Sequence, residues 1–145
     1  MKVAVASDHA GFAYKEKVRE YLASKGYEVL DFGAFSAERS DYPDFGHPAA
    51  EAVATHTADK GVFVCGSGIG ISITANRHHG VRAVDAMTPE MAKLAREHND
   101  ANVLALGERL VSWEDAMTII DTFFATAFEG GRHQVRVEKI DSGVK

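Results

Sequence analysis

Residues 61–65, Gly-Val-Phe-Val-Cys, run without one polar side chain and break into Gly66-Ser67-Gly68-Ile69-Gly70. A strand with a wet face alternates polar and apolar residues. One without alternation is buried on both faces and needs helices above and below it. The rest of the chain supplies those layers. Lys2–Ser7 reads as a first strand. Phe12–Ser24 reads as a helix, with Phe12, Val18, Tyr21 and Leu22 at helical spacing and a stop at Lys25-Gly26. Tyr27–Phe32 is a second strand, and a helix over 43–57 follows the polar loop from Gly33 to Tyr42. After the Gly61–Cys65 strand come a helix from Ile69 to Arg77, a strand over Val81–Asp85, a helix from Thr88 to about Glu97, and a strand over Val103–Leu106. Trp113–Phe128 is the last long helix, with Ser112 as its cap and Asp115 three residues on. Gly130-Gly131 separates it from a polar helical tail. Elements alternating at this length predict an α/β chain. The expected form is a doubly wound, Rossmann-like three-layer fold with a five-stranded parallel sheet, in a single domain over 1–145.

Composition narrows the setting. With 46% hydrophobic and 26% charged residues the chain is long enough, at 145 residues, to bury a real core. A single cysteine excludes an intrachain disulfide and fits a reducing cytoplasm. The opening Met1-Lys2-Val3-Ala4-Val5-Ala6 is too short an apolar stretch for a signal peptide, and no segment is long and apolar enough for a membrane span. The net charge of -5 argues against nucleic-acid binding, which needs a basic face. An anionic ligand therefore has to be met by locally concentrated positive charge.

In sheets of this class ligands collect at the carboxyl ends of the strands. That rule selects two loops: Ser7-Asp8-His9-Ala10-Gly11 after the first strand, and Cys65 to Gly70 after the third. The second offers several backbone N–H groups with little side-chain bulk, which suits a phosphate or a developing oxyanion. Cys65 stands at the strand end and before a helix, where unpaired N–H groups favour thiolate over thiol. Each feature also has a plain structural use. Glycines serve tight turns, Asp8 serves as a helix cap, His9 sits on a surface, and a lone cysteine packs as a small hydrophobe.

Three familiar motifs fail on the letters. A dinucleotide fingerprint would follow the first strand as Gly-x-Gly-x-x-Gly, whereas Gly66-x-Gly68-x-Gly70 follows the third. A phosphoacceptor receiver needs aspartate and lysine where Cys65 and Gly107 stand. A cysteine phosphatase needs arginine six positions after the nucleophile, where Ile71 stands. The adjacent His78-His79, after a helix, reads as a surface pair rather than a metal site.

Taken together, several segments resemble the ribose-5-phosphate isomerase B family, which also contains the paired galactose-6-phosphate isomerase subunits. They are Ser7–Gly11, Glu38–Pro43, Cys65–Ser72, Ala75-Asn76, Gly80–Ala83, Glu97–Leu104 and Glu129–Gln134, in order along nearly the whole chain. The resemblance implies that Cys65 is the base moving a proton between C1 and C2 of a phosphorylated sugar. It makes His98 the residue that opens the sugar ring, with Asn99 beside it. It implies phosphate ligands at His9, Arg109, Arg132 and Arg136, a sugar site lined by Asp8 and Tyr42, and backbone donors from Gly66, Ser67, Gly68, Ile69 and Gly70. Ser67 stands where threonine is common, and either hydroxyl can donate. Another branch of the family uses a glutamate further along, in the region of Ala75, so this chain matches the cysteine branch.

The chemistry fits these residue types. Moving a proton alpha to a carbonyl through an enediolate takes one base and preorganised donors for the oxygen that gains charge. It needs no metal and no cofactor. Arg132 and Arg136, four apart, share a helix face and could clamp a dianion, or could simply be a solvated basic face. Two function classes follow: an isomerase of ribose 5-phosphate or of an allose, galactose or erythrulose phosphate, and a non-catalytic sugar-phosphate binder on the same fold. The expected partner is the phosphorylated sugar. A homodimer or a dimer of dimers with shared sites is also expected, because the helix that ends at His98-Asn99 runs away from the carboxyl edge, leaving both residues on the wrong side of their own sheet to reach Cys65.

Overall fold

The computed structural model describes residues 1–144. Five parallel strands, β1 (Lys2–Ser7), β2 (Glu28–Asp31), β3 (Lys60–Cys65), β4 (Ala83–Asp85) and β5 (Val103–Gly107), lie in the order β2-β1-β3-β5-β4. Six helices accompany them: α1 (Phe12–Ser24), α2 (Tyr42–Ala54), α3 (Ile69–Ala75), α4 (Pro89–Asn99), α5 (Trp113–Ala125) and α6 (Arg132–Ser142). The chain leaves β1 toward β2 on one side and builds β3, β5 and β4 on the other. The topological switch point therefore falls between β1 and β3, where such sheets bind ligands.

Successive residues of each central strand serve opposite layers. Val3, Val5, Val62, Val64, Leu104 and Leu106 pack with Val18 and Leu22 of α1 and Ile119, Ile120 and Phe123 of α5. Ala4, Ala6, Phe63, Cys65 and Ala105 pack against Ala49, Ala50 and Val53 of α2 and Ile71 of α3. Phe63 and Leu104 are fully buried, a side-chain burial worth about 1.5–3 kcal/mol each. Small residues on the second face let α2 and α3 lie close to the sheet, and this is the face that carries Cys65.

Several element ends differ from the expected ones, each for a local reason. The strand expected from Val81 begins at Ala83, because the Arg82 and Ala83 N–H groups donate to the side chains of Asn102 (2.8 Å) and Asn76 (2.7 Å). The helix expected to reach Phe128 stops at Ala125. Beyond it Arg96 Nε donates to the Thr126 carbonyl (3.0 Å) and the Glu129 N–H donates to the Glu97 carbonyl (3.1 Å), so residues 126–129 are drawn onto the end of α4. Helix α2 ends at Ala54, shortly before His56 takes φ 62°, and α3 ends at Ala75 rather than Arg77. Ser112 caps α5 through the Asp115 N–H (3.1 Å), as expected. Thr88, expected inside α4, is its cap instead, accepting from Met91 N–H (3.2 Å). No helix of the described residues is long and apolar enough to cross a membrane.

Candidate active site

The loops after β1, β3 and β5 meet over the switch point around a cavity of about 560 Å³, within the range typical of small-molecule sites. Asp8, His9, Tyr42, Cys65, Gly66, Ser67, Ile69, Gly70 and Arg109 all line it. They come together through backbone contacts that tolerate little bulk. Glu108 N–H donates to the Cys65 carbonyl and Arg109 N–H to the Gly66 carbonyl, each at 3.0 Å, so the loop after β5 lies on the loop after β3. A Cβ at Gly70 would meet the Tyr42 ring at 2.5 Å, and one at Gly66 would meet the Arg109 guanidinium at 3.0 Å.

Cys65 Sγ faces the turn that follows it. Gly68, at φ 78°, directs its N–H to the sulfur at 3.2 Å, a donor placed to meet negative charge there. Because α3 is only seven residues long, individual N–H groups rather than a helix dipole supply this polarity. Ser67 Oγ accepts from Ile69 N–H (3.1 Å), which leaves its own proton to donate. Among the described residues the N–H groups of Gly66, Ser67 and Gly70 meet no acceptor. The five-residue loop thus divides its donors: Gly68 and Ile69 hold the loop and the thiol, and the others are open to a ligand. Gly68 itself does not line the cavity.

On the opposite wall His9 is fixed by Ser40. The His9 N–H donates to Ser40 Oγ (3.1 Å), and Nδ1 faces both the Ser40 N–H (3.2 Å) and its carbonyl (3.1 Å), leaving Nε2 without a partner among the described residues. Asp8 serves as the cap expected of it, accepting the Gly11 N–H at 3.0 Å, and also lines the cavity. Asp85 sits behind the loop, where a Cβ on Gly68 would lie 2.2 Å from its Oδ1. That buried oxygen has no hydrogen-bond partner among the described residues, and desolvation holds the carboxyl above the usual aspartate range.

The remaining candidates lie elsewhere. His98 and Asn99 end α4, four to five residues before β5 begins at the amino edge of the sheet, whereas Cys65 pairs with Gly107 at the carboxyl edge. The His98 ring stacks on His133 of α6, with centroids 4.3 Å apart and planes at 15°. Arg132 and Arg136 flank His133 on the same helix, and both are exposed. Asn99 borders a separate cavity of about 360 Å³ with Asn76, Arg82 and Ile140. The structure therefore sorts the expected site residues into two groups that do not touch within one chain.

His98, Glu129 and His133 place their potential ligand atoms within 4.8 Å of one another, the only such trio among the described residues. Stacked imidazoles serve a metal badly. Their lone pairs lie in near-parallel planes and do not converge on a point roughly 2.0–2.1 Å from both nitrogens. The trio was not evident as a unit in sequence, since His98 lies 31 residues before Glu129 and 35 before His133. At the surface, His78 Nε2 lies 2.8 Å from His47 Nδ1 and its Nδ1 lies 3.3 Å from Glu51 Oε2.

Residues 3–140 match the family model described as Ribose/Galactose Isomerase. The chain belongs to that family. Among curated members, ribose-5-phosphate isomerase B of Escherichia coli (strain K12) is 48% identical over 139 residues, covering 96% of this chain and 93% of its own length. Among solved members, ribose-5-phosphate isomerase B of Clostridium thermocellum superposes with a TM-score of 0.96 at 48% identity, covering 98% of this chain and 96% of that one. The Mycoplasma genitalium enzyme, solved with bound ribulose-5-phosphate, superposes with a TM-score of 0.93 at 38% identity, covering 98% and 95%. The doubly wound sheet of this ribose/galactose isomerase family member is thus the fold of its relatives. The chain is a sugar-phosphate isomerase by descent.

Proposed function

We propose that residues 1–145 act as one domain that interconverts ribose 5-phosphate and ribulose 5-phosphate, an aldose–ketose step of the pentose phosphate pathway carried out in the cytoplasm. One observation carries the reading: a lone, buried cysteine whose sulfur accepts a backbone N–H, inside a cavity that also offers unpaired N–H groups, a hydroxyl, an imidazole and a guanidinium. Likeness to relatives named as ribose-5-phosphate isomerases supports the choice of the five-carbon pair.

The chemistry follows from these groups. His98 delivers a proton to the ring oxygen, the bond from C1 to that oxygen breaks, and the anomeric hydroxyl gives up its proton to solvent, leaving the open C1 aldehyde. Cys65, as thiolate, removes the proton from C2, and the electrons move through C1 onto the carbonyl oxygen. Donors of the Gly66–Gly70 loop meet the charge that grows there; the C2 hydroxyl proton passes to that oxygen, the C2 carbonyl forms, and the thiol returns its proton to C1. His9 and Arg109 on one side, and Arg132 and Arg136 on the other, hold the phosphate. No metal or cofactor takes part in these steps.

Because His98, Asn99, Arg132 and Arg136 do not meet the Cys65 cavity in their own chain, they act on the cavity of a second copy, in a twofold dimer with two shared sites. The rim supports this, since Ile69, Ile73 and Leu110 stand 50–60% exposed around the mouth, an apolar patch that a partner would cover. Allose, galactose or erythrulose phosphates are the alternative substrates. Comparing kcat/KM over four-, five- and six-carbon aldose phosphates tests the reading. The five-carbon substrate should lead, and a tenfold preference for another chain length, or binding with no turnover of any, would replace it.

A further inference from the structure

The proposed ring-opening residue, His98, has a seat of its own, and the mechanism above gives that seat no role. The Glu129 carboxylate lies against the edges of two stacked imidazoles, its Oε1 3.5 Å from His98 Nε2 and 3.9 Å from His133 Nε2. The Glu129 backbone N–H donates to the Glu97 carbonyl, one residue before His98, at 3.1 Å. The Glu129 backbone is therefore tied to the helix end that carries the histidine. Behind His98, the His133 ring closes the seat as a parallel stack, and His133 is buried whereas His98 is 39% exposed.

A carboxylate oxygen can accept from both imidazoles, and here it lies nearer to His98 than to His133. Burial first, and then the nearby His98 and Arg132, push the His133 imidazole below the usual histidine range. His133 is the buried ring of the pair and His98 the exposed one, the ring that can reach a ligand. Exposed carboxylates and histidines often meet without consequence. Here the backbone tether, the buried stacked ring and the shared oxygen all restrict one side chain.

We infer that Glu129 is a positioning residue for His98, with His133 as the stacked backing that holds the ring against it. Glu129 fixes which edge of the imidazole is engaged within the chain and so which nitrogen is presented to the sugar ring. The role rests on the reading of His98 as the ring opener, and the test separates the two.

The experiment uses the full-length protein and two reactions. Turnover of ribose 5-phosphate, which is cyclic in solution, needs ring opening. Exchange of the C1 proton of ribulose 5-phosphate with deuterium oxide needs only the Cys65 step, because this ketose has no free hydroxyl to close a five-membered ring. E129Q keeps the size of the side chain and removes its charge. It should lower ribose 5-phosphate turnover by about tenfold, a fraction of what a whole acid–base group supplies, with C1 exchange within about twofold of wild type. E129D should recover part of the loss. H133F should keep most of the turnover, and H133A should lose it in the same selective way.

H98N serves as the reference. If H98N separates the two reactions and E129Q does not, or if E129Q leaves ribose turnover intact, Glu129 has no positioning role. If H98N itself lowers both reactions alike, the ring-opening reading falls and the inference falls with it. Should E129Q fail to fold, the contrast between E129D, H133F and H133A decides in the same way.

Discussion

The Cys65 cavity and the His98 seat are built from different materials. Around Cys65 the positions are set by strand ends and by backbone hydrogen bonds between loops, and glycines at 66, 68 and 70 leave no room for a Cβ without displacement. Around His98 they are set by side chains on a helix end, a connecting loop and the tail helix, half-open to solvent. The first arrangement suits a base and charge-stabilising donors, which must be held to a fraction of an ångström with no water between them. The second leaves the His98 ring open to solvent, as the proposed delivery of His98 to a second copy's cavity requires.

The sharpest break of the comparison is at the base. Cys65→Ala should lower turnover at least about a hundredfold while ribose 5-phosphate binding, followed by calorimetry, persists, because a base contributes to the barrier and little to adhesion. Turnover above about a tenth of wild type would move the proton-transfer role off Cys65.

At the other group, Arg132→Ala and Arg136→Ala should each raise KM for phosphorylated substrate and weaken inorganic phosphate by about tenfold, as expected for one charge-assisted contact. Unchanged phosphate affinity would leave both as solvated surface residues. The loss should be smaller than that at Cys65 and should appear in binding rather than in kcat, which is the signature of a holding group.

The smallest effect concerns Asp85, the unpartnered carboxyl behind Gly68. Burial raises its folded pKa above the unfolded value of 3.8, so its favourable contribution is fully present below that value and is lost as pH rises through the raised folded pKa. Asp85→Asn removes this titration. Its melting temperature relative to wild type should climb between pH 4 and pH 7, and a constant difference across that range would show that Asp85 carries no such burden.

Much of the first region could be read in the residues. An apolar run ending in glycines predicts a buried strand, the strand-end rule picks out both loops, and the direction of α4 alone places His98 far from Cys65. What escaped had no local signal. Nothing in Val81 or Arg82 announces that Asn76 and Asn102, distant in sequence, take their N–H groups and shorten β4. Nor does the 126–129 segment show that Arg96 and Glu97 end α5 by capturing it. Glu129 and His133 both stood within a matched segment, but their pairing with His98 depends on that capture, a tertiary contact that spacing does not encode.

Subunit mixing tests the divided site most directly. Cys65→Ala and His98→Asn chains, each inactive on ribose 5-phosphate alone, are combined under conditions of verified exchange. Random twofold pairing makes half the dimers mixed, each with one intact site, so activity should rise to about a quarter of wild type. No recovery, or full activity in an isolated monomer, would contradict a site shared between two chains.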